Sequence, residues 1–465
     1  MAPTGLTPLH MVPKSHIAIP DVQAHWFNNL VWQMLAALSR MLSISTRTPP
    51  KTIHQMEMTE VSGWLHKEDV FRRLAHVGLL GSVWPAGKVF LGMSVCKWMR
   101  SELLSHFHTV VIEVSGRQNI KKHDLARGFR RLCNSNVSIQ WRERENPSFE
   151  RLLEGISLAM YSTASSNNFR VNQTPSVGFG SALTHLDLGW NSLGVGGAYQ
   201  LYLVLKKCNS LRHLNLRSTQ LDNLGTKHIA ELLFTCFRLE YLDLGWNAIG
   251  DSGGVSLALP LAMGHLRKLS LLDLGGNYLS SLSLGRLAPG VQRCTSLKHL
   301  DLSHNSDCGN EGAAQIGAML AKNKSIETLI LGGCRISASG SERLVAGAMT
   351  ATNLKHLDLS ANHLGDDGLK PVAQMLIYST TLQTLNLRKN KITCNGAKDL
   401  ADKLNHCPTF TSLDMSVNYL SSTPGEPQQV GTAGAQALGN ALRSSSKFKR
   451  LSLEACRIMD AGANE

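Results

Sequence analysis

Apolar residues recur at a nearly constant spacing through the second half of this chain. Each recurrence opens with leucines that alternate with polar residues, as in Leu186, Asp187 and Leu188, which is the two-residue period of a half-buried strand. A stretch rich in Gly, Ala and Leu follows, as in residues 194–205 and 312–320, and its apolar positions have helical spacing. Each recurrence therefore predicts one strand followed by one helix.

The spacing of the blocks indicates how these elements assemble. The blocks are 28 to 30 residues apart until a last step of 38, and their first apolar positions are Leu183, Leu211, Leu239, Leu269, Leu297, Ile326, Leu354, Leu382, Phe410 and Phe448. A unit of this length cannot bury its apolar face alone, so it must stack on its neighbours. We therefore expect an α/β solenoid of about ten strand–helix repeats over residues 181–465. It should curve into a horseshoe because helices are wider than strands.

An asparagine follows the strand of most blocks. The blocks resemble leucine-rich repeats, and their 28-residue length and Gly-Ala-x-x-Leu helices resemble the ribonuclease-inhibitor-like subclass. In that family the Asn bonds backbone groups where the strand turns away, so the resemblance implies a ladder of these side chains. The ladder positions hold Asn191, Asn247, Asn277, Asn305, Asn362, Asn390 and Asn418, with Thr219, Cys334 and Cys456 in the remaining blocks.

The first 180 residues divide into three segments. Residues 1–59 combine a tail with an apolar helix over 26–42, residues 60–115 contain apolar helices, and residues 116–180 contain degenerate repeats and a loop. The 26–42 helix is shorter than the ~20 apolar residues of a membrane span and includes polar side chains. We expect it to dock on the protein. An interfacial membrane helix and an organelle transit peptide are the alternatives.

Residues 60–115 have two interpretations. A helix over 88–104 and a strand over 109–114 are predicted there, and the strands of the degenerate repeats are predicted at 110–114 and 137–141. The stretch Val95, Cys96, Lys97 and Trp98 resembles the end of an F-box, although the Leu-Pro opening of that family is absent. The resemblance implies an adaptor-binding segment with Val95 and Trp98 as contacts. The alternative is an N-terminal helical cap that covers the exposed end of the solenoid.

Composition is that of an ordinary globular protein, with 43% apolar and 17% charged residues. The formal net charge is +13, and most of the excess is N-terminal. Residues 1–180 hold 20 Lys and Arg against 12 Asp and Glu, which leaves 27 against 22 in residues 181–465. No run of Lys and Arg exceeds two residues, so nucleic-acid binding is not favoured.

The ten cysteines indicate neither a zinc site nor a disulfide framework, since the sequence has no Cys-x-x-Cys pair. Cys208, Cys236, Cys294 and Cys407 stand just before a block begins, where a small apolar residue packs. This usage favours a reducing compartment. We expect a cytoplasmic or nuclear location, with organelle import as the alternative.

The common catalytic and cofactor motifs are absent from the sequence. Residues 81–89 resemble a phosphate loop only superficially, because five residues rather than four separate Gly81 from Gly87, and Val89 stands where Ser or Thr ligates magnesium. Neither His-Glu-x-x-His nor Gly-x-Ser-x-Gly occurs. We therefore predict a protein that is not an enzyme and that uses no cofactor or metal.

Two columns of polar residues lie on the exposed face of the predicted sheet. Histidines 185, 213, 299 and 356 form one column, and neighbours in a parallel sheet are ~4.8 Å apart. Carboxylates of the second column repel by under ~1 kcal/mol per pair in water. In one interpretation the second column is acidic because Asp is common at this position in such repeats. In the other, the column forms an acidic strip that attracts the basic surface of a ligand. It consists of Asp187, Asn215, Asp243, Asp273, Asp301, Ile330, Asp358, Asn386 and Asp414.

A pair of tryptophans marks the N-terminal blocks. Trp190 and Trp246 each precede a ladder Asn, and Arg217 lies in the block between them with glycines beside it in its own column, so we expect an uncrowded Arg. Exposed aromatic residues around an Arg have the composition of a binding hot spot. The alternative is that each Trp packs flat on its loop. The predicted partner-binding residues are Trp190, Trp246, Arg217, His213, Tyr241, Asp187, Asp243, Asp273 and Asp301.

These observations predict a protein-binding scaffold. Its narrower form is a substrate-recruiting subunit of a ubiquitin ligase, in which residues 60–108 hold the adaptor and the concave face holds the target. One alternative is a GTPase-activating regulator of the Ran type, although the acidic tail expected of that class is missing. The other alternative is a structural subunit of a large assembly.

Overall fold

The computed structural model describes residues 88–90, 109–115, 136–142, 152–154, 156, 182–418, 432–444 and 447–456. The chain divides into two compact units, residues 1–87 and residues 88–465, and the described residues belong to the second. The 26–42 segment and the F-box-like residues Val95 and Trp98 lie outside the described residues.

Parallel strands form one sheet in which the spatial order of the strands follows their order in the sequence. From β1 to β13 the strands are Lys88–Phe90, Thr109–Ser115, Asn136–Arg142, Leu183–Asp187, His213–Asn215, Tyr241–Asp243, Leu271–Asp273, His299–Asp301, Thr328–Ile330, His356–Asp358, Thr384–Asn386, Ser412–Asp414 and Arg450–Ser452. The ten predicted repeats therefore continue a sheet that begins earlier, at β1. β2 and β3 confirm the predicted early strands.

The N-terminal edge corrects one prediction. The sequence places the start of a helix at residue 88, whereas Lys88–Phe90 is a strand that pairs with β2. Val89 and Phe90 are residue types that favour strands, and the edge of β2 offers them backbone hydrogen bonds, which outweighs the helical spacing of the apolar residues that follow.

Helices alternate with the strands from β4 onward. In the described part of the chain, α1 to α9 are Gly194–Leu205, Asn223–Leu233, Asp251–Ala262, Ser281–Arg293, Gly309–Lys322, Ala338–Ala348, Gly365–Tyr378, Cys394–Leu404 and Thr432–Ser444. Each of these helices packs on the next. Within the same residues, no helix combines the length and the apolarity that crossing a bilayer requires.

Strand pairing aligns equivalent positions of neighbouring blocks. His185 pairs with His213, and His213 pairs with Tyr241. The central leucine of each strand from β5 to β12 is buried beneath the helices, while the residues on either side of it are mostly half-buried. The face that these flanking residues occupy, opposite the helices, is called the open face below.

The ladder implied by the resemblance is present. Asn247 donates from Nδ2 to the carbonyl oxygens of Leu216 and Leu244, each at 2.9 Å, and its Oδ1 accepts from the backbone N–H groups of Thr219 and Leu221. Adjacent coils are therefore joined by a buried amide. In one block Cys334 replaces the ladder Asn, and its thiol donates to the carbonyl oxygen of Leu302. The thiol thus fills the ladder position with fewer hydrogen bonds than Asn247 makes.

The four cysteines that precede blocks are buried in the core, as predicted. The Cys208 thiol donates to the carbonyl oxygen of Leu183 at 3.5 Å, which ties the end of this block to its own first residue. Burial raises the pKa of the Cys236 thiol to about 12. These cysteines therefore behave as small apolar residues.

Candidate functional site

Three aromatic rings stack across the first strands of the repeat array. The ring centroids of His185 and His213 are 5.6 Å apart, and those of His213 and Tyr241 are 3.9 Å apart with an interplanar angle of 13°. Burial lowers the pKa of both histidines and raises the pKa of Tyr241 to about 12. The rings therefore form a largely uncharged strip on the open face at neutral pH.

Arg217 lies in the interior of a charge cluster, which corrects the expectation of an uncrowded side chain. Its Nη1 is 2.8 Å from Oδ2 of Asp273 and 3.8 Å from Oδ2 of Asp243. The guanidinium crosses the backbone of Gly245, where an added Cβ would stand 2.8 Å from Nη1. The glycine beside Arg217 thus leaves room for an ion pair rather than for a free cation.

The carboxylates of the acidic column hold the turns that follow their strands. Oδ1 of Asp243, Asp273 and Asp301 each accepts a hydrogen bond from the backbone N–H two residues later, at 2.8 to 2.9 Å. Asp187 makes the same bond to Gly189 at 3.0 Å. This hydrogen bond to the following turn therefore explains why Asp recurs in this column.

The same carboxylates interact more strongly than carboxylates in water. Burial, followed by the negative charges of Asp301 and Asp243, raises the pKa of Asp273 to about 7. Burial also raises the pKa of Asp243. Because burial removes these carboxylates from most of their water, the repulsion of under ~1 kcal/mol per pair that applies in water is too small for them.

Both predicted tryptophans are exposed and occupy an unusual backbone conformation. Trp190 has φ 66° and Trp246 has φ 54°, and the exposed fractions of the two residues are 63% and 50%. The Trp246 ring also covers Gly276, where an added Cβ would lie 2.7 Å from the indole. Trp246 therefore packs on its loop and still presents half of its surface to solvent.

The structure shows a contact that sequence reasoning missed. The ring of His304 lies 5.4 Å from that of Trp246, beyond Gly276. His304 occupies the same position in its block as Trp190 and Trp246, directly before a ladder Asn. Comparing that position across all blocks would have found it, because the strand register brings equivalent positions together.

The term open-face cluster is used below for Trp190, His213, Arg217, Tyr241, Trp246 and the carboxylates at 187, 243, 273 and 301. The structure brings Arg217, Tyr241, Trp246, Asp243 and Asp273 into one set of contacts, in which the Tyr241 hydroxyl is 3.4 Å from Asp243 and the Arg217 guanidinium carbon is 6.0 Å from the centroid of the Trp246 ring. Among the described residues, no group of three or more His, Cys, Asp and Glu side chains is arranged to hold a metal ion. The cluster combines exposed indoles with a partly buried guanidinium and carboxylates.

Comparison with known proteins agrees with this architecture. The leucine-rich repeat family model matches residues 182–201, 207–230, 235–258, 293–317, 350–373 and 378–401. The chain therefore contains leucine-rich repeats, and they are similar to those of ribonuclease inhibitor.

The repeats are similar to those of several curated proteins. Pig ribonuclease inhibitor is 31% identical over 205 residues, which are 42% of this chain and 43% of that protein. Human NACHT, LRR and PYD domains-containing protein 5 is 32% identical over 196 residues, which cover 40% of this chain and 16% of that protein. The chain spans less than half the length of each of these relatives.

A solved structure of an internalin from Listeria monocytogenes aligns over 76% of this chain and 88% of that chain. The TM-score is 0.38 and the sequence identity is 16%.

Proposed function

We propose that this protein is a non-catalytic scaffold that binds a protein partner on the open-face cluster. The observation that carries the proposal is the exposure of Trp190 and Trp246 beside a partly buried charge cluster. Tryptophan is enriched among the residues that dominate binding energies, and large exposed aromatic side chains commonly mark interaction sites. Packing over Gly276 and beside His304 holds the Trp246 ring in place before a partner arrives, which reduces the entropy lost on binding.

The charge of the cluster indicates the kind of partner. The cluster holds four carboxylates, at positions 187, 243, 273 and 301, and one guanidinium, that of Arg217, which pairs with Asp243 and Asp273. Asp301 has no salt bridge among the described residues and points to the same face. A partner that presents Lys or Arg beside an apolar surface would complement both the carboxylates and the indoles.

The experiment is affinity capture from cytosolic and nuclear extracts followed by quantitative mass spectrometry. Wild-type protein is compared with the Trp190→Ala/Trp246→Ala variant. A second variant, Tyr378→Ala, removes a similarly exposed aromatic residue from α7 and serves as the matched control. We expect a partner that wild type and Tyr378→Ala retain and that the double variant loses. Equal recovery by all three proteins would refute the proposed site.

The narrower role in ubiquitin ligation depends on residues 60–115. It predicts that a ligase adaptor co-purifies with the full chain and is lost when Val95 and Trp98 are changed to Ala. A GTPase-activating regulator would instead accelerate GTP turnover by a candidate GTPase, and a structural subunit would be recovered at fixed stoichiometry in a large complex. Adaptor content, stimulation of GTP turnover and complex stoichiometry, each measured on the captured material, separate these three roles.

A further inference from the structure

The outer side of α3 carries a continuous apolar stripe. Val255, Leu259 and Met263 follow one another at four-residue intervals and are 43%, 57% and 59% exposed. This spacing places the three side chains on one side of the helix, over about 12 Å. The term outer stripe denotes these three residues. Asp251, the single charged residue of α3, is occupied at the start of the helix, where its carboxylate accepts from the backbone N–H and the hydroxyl of Ser280.

Helix α4 borders the outer stripe closely. A Cβ added at Gly290 would lie 2.8 Å from Cβ of Leu261 and 3.0 Å from the carbonyl oxygen of Ala258, so the two helices touch there. Leu282, near the start of α4, is 61% exposed and extends the apolar surface beyond α3. Ser283, the next residue, lies within 2.8 Å of an added Cβ at Gly254, which brings Leu282 beside the Val255 end of the stripe.

Cations lie along the same border. Arg286 and Arg293 stand about one turn before and after Gly290, on the side of α4 that faces α3. Nη1 of Arg293 donates to the carbonyl oxygen of Ala262 at 3.0 Å, which places its guanidinium next to the Met263 end of the stripe. Arg286 is exposed and takes part in no salt bridge with the described residues.

Positive charge exceeds negative charge on the helix side of residues 222–295. The cations there are Lys227, Arg238, Arg267, Lys268, Arg286 and Arg293. Glu240 pairs with Arg212, so Asp222, Glu231 and Asp251 are the carboxylates that offset these six cations on this side. An apolar stripe with a basic margin complements an apolar stripe with an acidic margin.

We infer that the outer stripe is a docking site for an amphipathic helix of a partner protein, one whose apolar residues cover Val255, Leu259 and Met263 and whose flanking Asp or Glu residues meet Arg286 and Arg293. Helices in grooves use apolar anchors at the same four-residue spacing. Met263 supplies a side chain that adapts to different partners. Interfacial membrane binding uses Trp, Phe or Leu beside Lys and Arg, and the stripe has Leu259 but neither aromatic residue, so we favour a protein helix over a lipid surface.

This site is separate from the open-face cluster. The stripe lies on the outer side of the helices, whereas the cluster lies on the opposite side of the sheet. The two surfaces share no residue, so one partner does not exclude the other. A protein with both surfaces can hold two ligands at once.

The test uses the full chain and three synthetic amphipathic helical peptides. The peptides share a leucine face with four-residue spacing and carry Glu, Gln or Lys on its flanks, and binding is measured by fluorescence anisotropy. We expect the Glu peptide to bind most tightly and the Lys peptide most weakly. Leu259→Ser/Met263→Ser should weaken binding by about tenfold or more. Arg286→Glu should weaken the Glu peptide about threefold to tenfold and improve the Lys peptide.

Two variants and one lipid sample control the measurement. Tyr378→Ser changes an exposed residue of α7, and Trp190→Ala/Trp246→Ala changes the open-face cluster, so both should bind the Glu peptide as wild type does. Failure of every peptide to bind more tightly than about 1 mM would refute the inference. So would equal binding of the Glu and Lys peptides. Binding to phosphatidylcholine vesicles containing phosphatidylserine, lost in Leu259→Ser/Met263→Ser, would assign the stripe to membranes instead.

Discussion

Arg217 reaches across the strand next to its own and bonds Asp273, with Nη1 and Oδ2 separated by 2.8 Å. The two residues are two coils apart, and the glycine at 245 clears the path between them. The pair therefore joins three coils on the open face. It also provides the main compensation for carboxylates that are partly removed from water.

Replacing Arg217 should destabilise the protein in a pH-dependent way. Arg217→Met leaves Asp243 and Asp273 without their counter-charge, and we expect a loss of about 2 to 4 kcal/mol in the free energy of unfolding at about pH 8. The loss should be smaller at about pH 5, because protonation of Asp273 then removes one of the uncompensated charges. Denaturation by urea at both pH values measures the difference.

The ion pair between Arg388 and Glu454 is the matched control. It has a similar length, 3.1 Å, but both side chains are exposed. Arg388→Met should cost less than about 1 kcal/mol at either pH. Equal losses for the two variants would contradict the role assigned to burial at Arg217.

Asp273 should make stability fall as pH rises through the weakly acidic range. Its pKa is about 7 in the folded protein, whereas an unfolded Asp has a pKa of about 4. The folded state therefore binds more protons between these values, and the contribution of Asp273 to the free energy of unfolding decreases as pH rises from about 4 to about 7.

The Asp273→Asn variant isolates this effect from the histidines, whose lowered pKa values act in the opposite direction. The difference in unfolding free energy between wild type and Asp273→Asn should change by about 2 to 4 kcal/mol over that interval. A constant difference across the interval would show that Asp273 titrates normally.

Removing a ladder amide should cost more than removing a ladder hydroxyl. Asn247→Ala leaves buried carbonyl and N–H groups of two coils without partners, and we expect a loss of about 2 to 4 kcal/mol. Thr219→Val removes a hydroxyl that donates to the carbonyl oxygen of Leu216 at 2.6 Å and more weakly to Oδ1 of Asn247 at 3.3 Å, and should cost about 1 kcal/mol. Thermal or urea unfolding ranks the two variants, and the reverse ranking would contradict the ladder assignment.

Adding a methyl group at Gly276 should displace Trp246. The glycine has φ 66°, and its added Cβ would meet the indole at 2.7 Å. We expect a stability loss of about 1 to 2 kcal/mol from the backbone conformation, together with a change in tryptophan fluorescence. Gly365→Ala is the control, since φ there is 58° and no atom lies within 4 Å of the added Cβ. It should lose similar stability and leave the fluorescence unchanged.

The sequence pattern predicted the fold of the repeats because it reports burial directly. Leu186 and its equivalents recur where the strands must face the helices, and Asn247 recurs where backbone groups need a partner. The predicted helix start at residue 88 was wrong because Lys88–Phe90 is too short for periodicity to separate a strand from a helix. The pairing of this strand with β2 also involves residues that are distant in the sequence.

The site was predicted less completely than the fold. The register argument correctly placed His185 beside His213, since equivalent positions become neighbours in a parallel sheet. It did not show where the long side chain of Arg217 would extend, because that depends on the space over a neighbouring glycine. The raised pKa of Asp273 was missed for the same reason, since burial of a carboxylate depends on its surroundings in three dimensions.

The residue directly before each ladder position adopts a positive φ in all ten blocks. This position holds Trp190, Ser218, Trp246, Gly276, His304, Gly333, Ala361, Lys389, Val417 and Ala455. The loop thus tolerates aromatic, basic, aliphatic and small side chains at a site whose backbone is set by the neighbouring bonds. Diversity at these ten positions can alter what the surface recognises while leaving the buried leucines unchanged, which makes this column the natural starting point for redirecting the protein toward a new ligand.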